Sequence, residues 1–282
     1  MKMNPRPNHP MSRKIKLLFG LAVVAIAGGY ATRTVLVPAV NSDPVMAAPA
    51  TKAGAFDHEH TELDAILKSK VKSERVDYAS LKSDPSELNA YLGQLASVEE
   101  SEFKAWSEAQ QLAMLINLYN AATLKLVIDH YPVDSIKDIG GLFRKPWDIE
   151  SLTLFGKTTT LNHLEHEILR KNYNEPRIHF AIVCAAKGCP ALLNEAYTAG
   201  KLDAQLKKQG EQFIRDVNKN RVDAGKKTVY LSKIFDWFED DFTKDGSVIE
   251  FVKPYFSTSD AKALNKGFKV KHTGYDWSLN KQ

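Results

Sequence analysis

The chain has 282 residues, 44% of them hydrophobic and 26% charged, the composition of a globular protein with a sizeable core. Its formal charge of +4 is unevenly spread: six of the 38 basic residues but only one of the 34 acidic residues precede position 51, which leaves 32 against 33 in the remainder. With no cluster of Lys and Arg there to neutralise phosphates, the composition argues against nucleic acid as a partner.

Arg13, Lys14 and Lys16 precede an uncharged apolar run from Leu17 to Thr32. As a helix these 16 residues would span about 24 Å, short of the ~20 residues of a usual transmembrane helix. Positive charge before a short apolar stretch reads as a signal peptide or signal-anchor over residues 1–32, with a cytoplasmic N-terminus. Small-residue patterns at Ala25-Ile26-Ala27 and Val45-Met46-Ala47 leave cleavage open. The second lies far from the apolar run, which favours a retained transmembrane helix, so the membrane is the expected partner of this end. Residues 33–56 are rich in Ala and Pro and read as a flexible tether. Residues 57–282 read as one globular domain.

Within that domain Thr61 caps a helix carrying Leu63, Ile66, Leu67 and Val71, and Val76-Asp77-Tyr78 is extended. Asp84-Pro85 then opens a helix through Leu95. Ser107 and Gln110 form a capping box for the strongest helix, about Glu108 to His130, which Pro132 ends. A Gly140-Gly141 loop reaches Trp147, residues 151–161 form a hairpin turning near Gly156, and a short helix runs to Lys171. Ile178, Phe180 and Ile182 alternate, which predicts a strand from Arg177 to Cys184. A helix follows Thr198, then a strand at Thr228–Leu231, an aromatic helix after Ser232 and a last helix from Gly246-Ser247 to Tyr255. Strands without regular strand–helix alternation predict an α+β class, a mostly helical domain with a small, mainly antiparallel sheet.

Cys184 and Cys189 are the two cysteines. An even pair in an exported chain is a disulfide candidate. The competing reading makes Cys184, at a loop edge, a nucleophile that needs a base to form thiolate. His166 lies one turn into the short helix and is a candidate base. Glu165 could do acid–base work, but with Asn162 it also fits a helix-capping pair. His163 and His166 share a helix face, yet HLEH lacks the four-residue histidine separation of the zinc proteases and offers no third ligand; no metal and no cofactor are assigned. Asn117 and Asn120 lie on adjacent turns of an apolar helix, where an amide pays its way by hydrogen bonding: orienting a histidine or bracing a loop. By alternation His179 faces away from Cys184. The FDWFEDDF helix reads as a core stripe with a solvated acidic edge.

INLYNA at 116–121, HYPVDSIKDIGG at 130–141, LEHEILR at 164–170, RIHFAIVCAAKGCP at 177–190, LSKIFDWFEDDF at 231–242 and the terminal YDWSLN occur in that order. As a set they resemble the family catalogued as domain of unknown function 547, over roughly residues 57–282. The resemblance implies an exported or membrane-tethered bacterial setting for many members and carries no secure activity. With the leader, it places the domain at the inner membrane facing the periplasm, or secreted to the periplasm. A fold-level analogy with papain- and transglutaminase-type enzymes would match Cys184 as nucleophile, His166 as base and Asn117 as orienting group, with Glu165 in reserve. Those enzymes place the cysteine before the histidine, at the start of a helix, whereas here Cys184 follows His166. The sequence thus leads to a cysteine-dependent hydrolase or acyl transferase acting on an amide or thioester of a small molecule or peptide. Its rivals are a binding or scaffold domain stapled by Cys184–Cys189, and a thiol–disulfide exchange protein.

Overall fold

The computed structural model describes residues 55–141, 144–264 and 267–282; the leader and all but the end of the tether lie outside the described residues. An aspartate satisfies a free amide at the start of each of the first three helices, Asp57, Asp77 and Asp84 in turn. Asp57 accepts from the Thr61 amide, so it supplies the cap expected of Thr61, and α1 (Thr61–Lys70) buries Leu63, Ile66 and Leu67. A hairpin of β1 (Val71–Lys72) and β2 (Arg75–Val76) follows. Asp77 caps α2 (Tyr78–Ser83), so Tyr78 begins a helix instead of continuing an extended piece. Then come α3 (Ser86–Ala96) and α4 (Glu100–Ala105). The Ser107–Gln110 capping box is present and starts α5 (Glu108–His130). Among the described residues α5 is long and apolar enough to cross a membrane. It is the core helix, buried without a break from Leu112 to Leu124.

The expected hairpin is β3 (Glu150–Leu154) with β4 (Lys157–Thr160), antiparallel. Its turn takes Phe155 and Gly156 through positive φ, 52° and 71°, conformations that glycine accepts without a Cβ clash. Beyond it lie α6 (Leu161–His163), one π-helical stretch (Leu164–Leu169) and α7 (Arg170–Asn172). The second half holds α8 (Leu202–Arg215), β5 (Arg221–Asp223), β6 (Thr228–Leu231), α9 (Ile234–Trp237), α10 (Glu239–Phe242), α11 (Val248–Val252), α12 (Thr258–Ala263) and β7 (Lys269–His272). β6 pairs antiparallel with β5 and parallel with β7. The domain is therefore α+β, mostly helical, with small and mainly antiparallel sheets.

The predicted strand from Arg177 to Cys184 is absent. Pro176 opens a 3-10 helix through Phe180, with the Glu175 carboxylate accepting from the Arg177 amide. The apparent alternation has another cause. Ile178 and Ile182 belong to the hydrophobic cluster around α5, while Phe180 belongs to a second cluster with Phe213, Phe235, Phe242 and Val252. The segment threads between two cores and is buried on both sides.

Two amides of α5 hold what surrounds it. Asn120 donates through Nδ2 to the Ala181 carbonyl (2.9 Å) and accepts through Oδ1 from the Val183 amide (2.9 Å). Asn117 does the same for Tyr197, donating to its carbonyl (2.8 Å) and accepting from its amide (3.0 Å). Both amides are buried. An Asn120→Ala substitution leaves two buried backbone groups without partners, at about 1–3 kcal/mol each. Urea denaturation should show a loss of about 2–4 kcal/mol, and a loss no larger than that of an exposed alanine substitution would refute the clamp.

Candidate functional site

Where the two cores meet, a cavity of about 850 Å³ opens to the surface. Tyr119 of α5, Glu165 and His166 of the π-helical stretch, His179 of the 3-10 helix, Cys184, Cys189 and Tyr275 all line it. Local irregularity puts them there. Thr160 caps α6, its Oγ1 accepting from the His163 amide at 3.0 Å. The capping pair expected of Asn162 and Glu165 does not form, and the wider π turn carries Glu165 inward. Such turns inside helices recur at functional sites. His163 is left exposed while His166 lines the cavity, so the two imidazoles do not converge on a metal.

Cys184 and Cys189 are joined as a disulfide. The Cys184 amide donates to Cys189 Sγ at 3.1 Å, and the Tyr275 hydroxyl lies 3.1 Å from Cys184 Sγ and 3.0 Å from Cys189 Sγ. The loop between the cysteines is gripped by the C-terminal segment. Lys187 donates to the Ser278 carbonyl, Gly188 to that of Asp276, and Asn280 to that of Ala185. A Cβ at Gly188 would sit 2.9 Å from the Asp276 nitrogen, closer than real side chains come. Glycine is therefore required for the approach of the two segments.

The charges fall into two sets. Asp241 of α10 accepts from Arg170 Nε (2.5 Å) and pairs with His179 Nε2 (2.7 Å) through the same oxygen, Oδ2. Burial favours its neutral form, yet these two hydrogen bonds hold its carboxyl well below the usual range. Asp241 thus holds His179 and Arg170 behind the cavity wall and is not part of the solvated edge read from FDWFEDDF. Burial lowers the His179 pKa against the pull of Asp241; in the neutral ring, a proton on Nε2 facing Asp241 makes Nδ1 the acceptor. His179 stacks on Phe238, 4.1 Å between centroids. It shares the cavity with Cys184, contrary to the opposite-face expectation. That expectation assumed a strand.

His166 is differently placed. Its Nδ1 accepts from Arg170 Nη1 at 2.7 Å, and burial together with the guanidinium lowers its pKa. Asn117 does not orient it, because both polar atoms of that amide are spent on Tyr197. Glu165 is buried and accepts from the Tyr119 hydroxyl at 3.1 Å. Burial pushes its pKa up to about 7, against that hydrogen bond and the attraction of Arg170. Buried titratable groups with displaced pKa values in one cavity are the physical mark of a site.

The same cavity is walled by Trp147, Trp237, Tyr275 and Trp277, which the sequence reading left aside; the density of Trp and Tyr in DWF and in the terminal YDW was their only signal. Residues 103–214 match the model of a family described as "Protein of unknown function, DUF547", which supports the resemblance drawn from the motifs and spans Glu165, His179 and both cysteines. No curated protein and no solved structure matches the chain.

A raised carboxyl pKa fixes the sign of a pH effect. Native Glu165 holds its proton between about 4.5 and about 7 where the unfolded chain has lost it. The stability this confers is complete below about 4.5 and is lost as pH rises through about 7. Wild type should therefore lose about 3 kcal/mol relative to Glu165→Gln between pH 4.5 and 8 in parallel urea titrations. Parallel curves would show that Glu165 ionises like a solvated carboxyl.

Proposed function

We propose that the cavity is the site of a cysteine-dependent hydrolase or acyl transferase, with Cys184 as nucleophile once its disulfide is reduced. The observation that carries the reading is that His179, held by Asp241 through Nε2, lines the same cavity as Cys184. In the neutral ring Asp241 takes the Nε2 proton, leaving Nδ1 free to accept the thiol proton. The base assigned from sequence changes accordingly: His166 Nδ1 is occupied by an arginine that can only donate, so His179 takes its role and Asp241 that of Asn117. Protonated Glu165 donates to the substrate carbonyl.

The steps balance. A dithiol first reduces Cys184–Cys189, itself becoming a disulfide. The Cys184 thiolate then attacks the carbonyl carbon of an amide or thioester, the leaving amine or thiol departs with the proton held by His179, and an acyl-thioester remains. Water or another nucleophile releases the acyl group and restores the thiol. Export to the periplasm, at the inner membrane or free of it, is proposed on the leader alone.

Iodoacetamide labelling of the dithiol-treated chain tests this directly. Cys184 should react with an apparent pKa below the ~8.5 of a free thiol, and His179→Gln should slow labelling at pH 7 by about tenfold or more. Cys189→Ser should label without reductant and turn over an aryl thioester. Labelling indistinguishable from a free thiol, and indifferent to His179, would leave the stapled binding domain as the better account.

A further inference from the structure

Three of the chain's four tryptophans line this one cavity. Trp237 is 45% exposed, one of the large apolar side chains left most open to water. Its ring lies 5.7 Å from Trp277 and 4.9 Å from Tyr275, and Trp147 meets Trp277 at 5.9 Å. The fold itself gains little from an indole held in water, so a contiguous aromatic wall around an open cavity calls for a ligand. Basic groups stand at the same wall. Lys137 Nζ lies 3.9 Å over the Trp277 ring, and Lys145 lines the cavity; among the described residues neither lysine forms an ion pair.

The ring geometry narrows the ligand. A flat aromatic group sandwiched between two parallel rings needs them about 7 Å apart, twice an optimal carbon contact. The nearly parallel pair here, Trp237 and Trp277 at 28°, is 5.7 Å apart. The other contacts are tilted by 52° to 64°. A curved shell of tilted rings suits puckered pyranose rings, which present apolar C–H faces to indoles and hydroxyls to polar neighbours such as Asn162. Lysines without a carboxylate in ion-pair contact among the described residues add a preference for negative charge.

We propose that the outer part of the cavity binds a saccharide bearing carboxylates, and that the acyl group attacked by Cys184 is carried on such a saccharide. The second half rests on the acyl-transfer reading above; the binding does not. The oxidised full-length chain separates them, because its disulfide keeps the sulfur from attacking. Titrated by calorimetry, it should bind trigalacturonate at least tenfold more tightly than the methyl ester of the same trisaccharide, and more tightly than 2-naphthoate. Trp237→Ala, at an exposed position, should weaken trigalacturonate tenfold, and Lys137→Gln with Lys145→Gln should abolish the difference between acid and ester. Tighter binding of naphthoate, equal binding of acid and ester, or indifference to Trp237→Ala overturns the proposal. Absent saccharide binding alongside a reactive Cys184 in the reduced chain overturns the saccharide alone. Binding with an unreactive thiol keeps the site and removes its acyl chemistry.

Discussion

The site depends on a buried amide. Asn120 sits where an apolar side chain would pack as well, and its desolvation is tolerable because both polar atoms are satisfied by the backbone of residues 181 and 183. The Ala181 and Ile182 amides still bond the Ile178 carbonyl, but the Ala181 carbonyl and the Val183 amide take their hydrogen bonds from the Asn120 side chain. The clamp fixes residues 181 to 183, the stretch between the 3-10 helix and Cys184. Through it, α5 sets where His179 and Cys184 stand relative to Tyr119, which projects from the same helix. Asn117 extends the principle one turn away, fixing Tyr197 on the approach to α8.

A second constraint is electrostatic. Asp241 is largely removed from water, and leaving it unpartnered would be far costlier than losing a surface ion pair. Arg170 and His179 share its Oδ2 oxygen, and Phe238 fills the space beneath, with the guanidinium carbon 5.0 Å from its ring centre. This couples α7 and the 3-10 helix to α10 and leaves the imidazole one orientation. The same arginine donates to His166, so both histidines of the cavity are set by one carboxylate–guanidinium pair. Removing Arg170 would free His166 and leave Asp241 with a single donor, so substitutions here would not be additive.

The sequence was most readable where one physical signal dominates. The capping box and unbroken apolar face announced α5, and the turn at Gly156 announced its hairpin. It misled where burial came from two directions: alternation at Ile178, Phe180 and Ile182 looks like a strand face, although the period reflects two different cores. The site was half legible. Cys184, Glu165 and His166 were selected by residue type and do share a cavity, but Asp241 and His179 were passed over. Asp241 is one of four acids in FEDD and its neighbours, and nothing local distinguishes the one whose partners lie about sixty to seventy residues upstream. The π turn that points Glu165 inward is likewise invisible to a 3.6-residue period.

The disulfide is where the enzymatic and structural readings separate, and loop length weighs on the choice. Closing a ring across a sequence separation of five removes little chain entropy, about 2 kcal/mol in the simplest treatment. The loop hardly needs it: backbone hydrogen bonds at Ala185, Lys187 and Gly188 already bind it to the C-terminal segment, and Tyr78 anchors that segment through Asn280 Oδ1 at 2.7 Å. A staple would do more across a long connection. This bond instead spans a loop secured by other means, with both cysteines at the wall of the cavity and a tyrosine hydroxyl within reach of both sulfurs. Under the acyl-transfer proposal, opening it would release a thiol into the cavity that His179 also lines, while the backbone hydrogen bonds of the loop would remain.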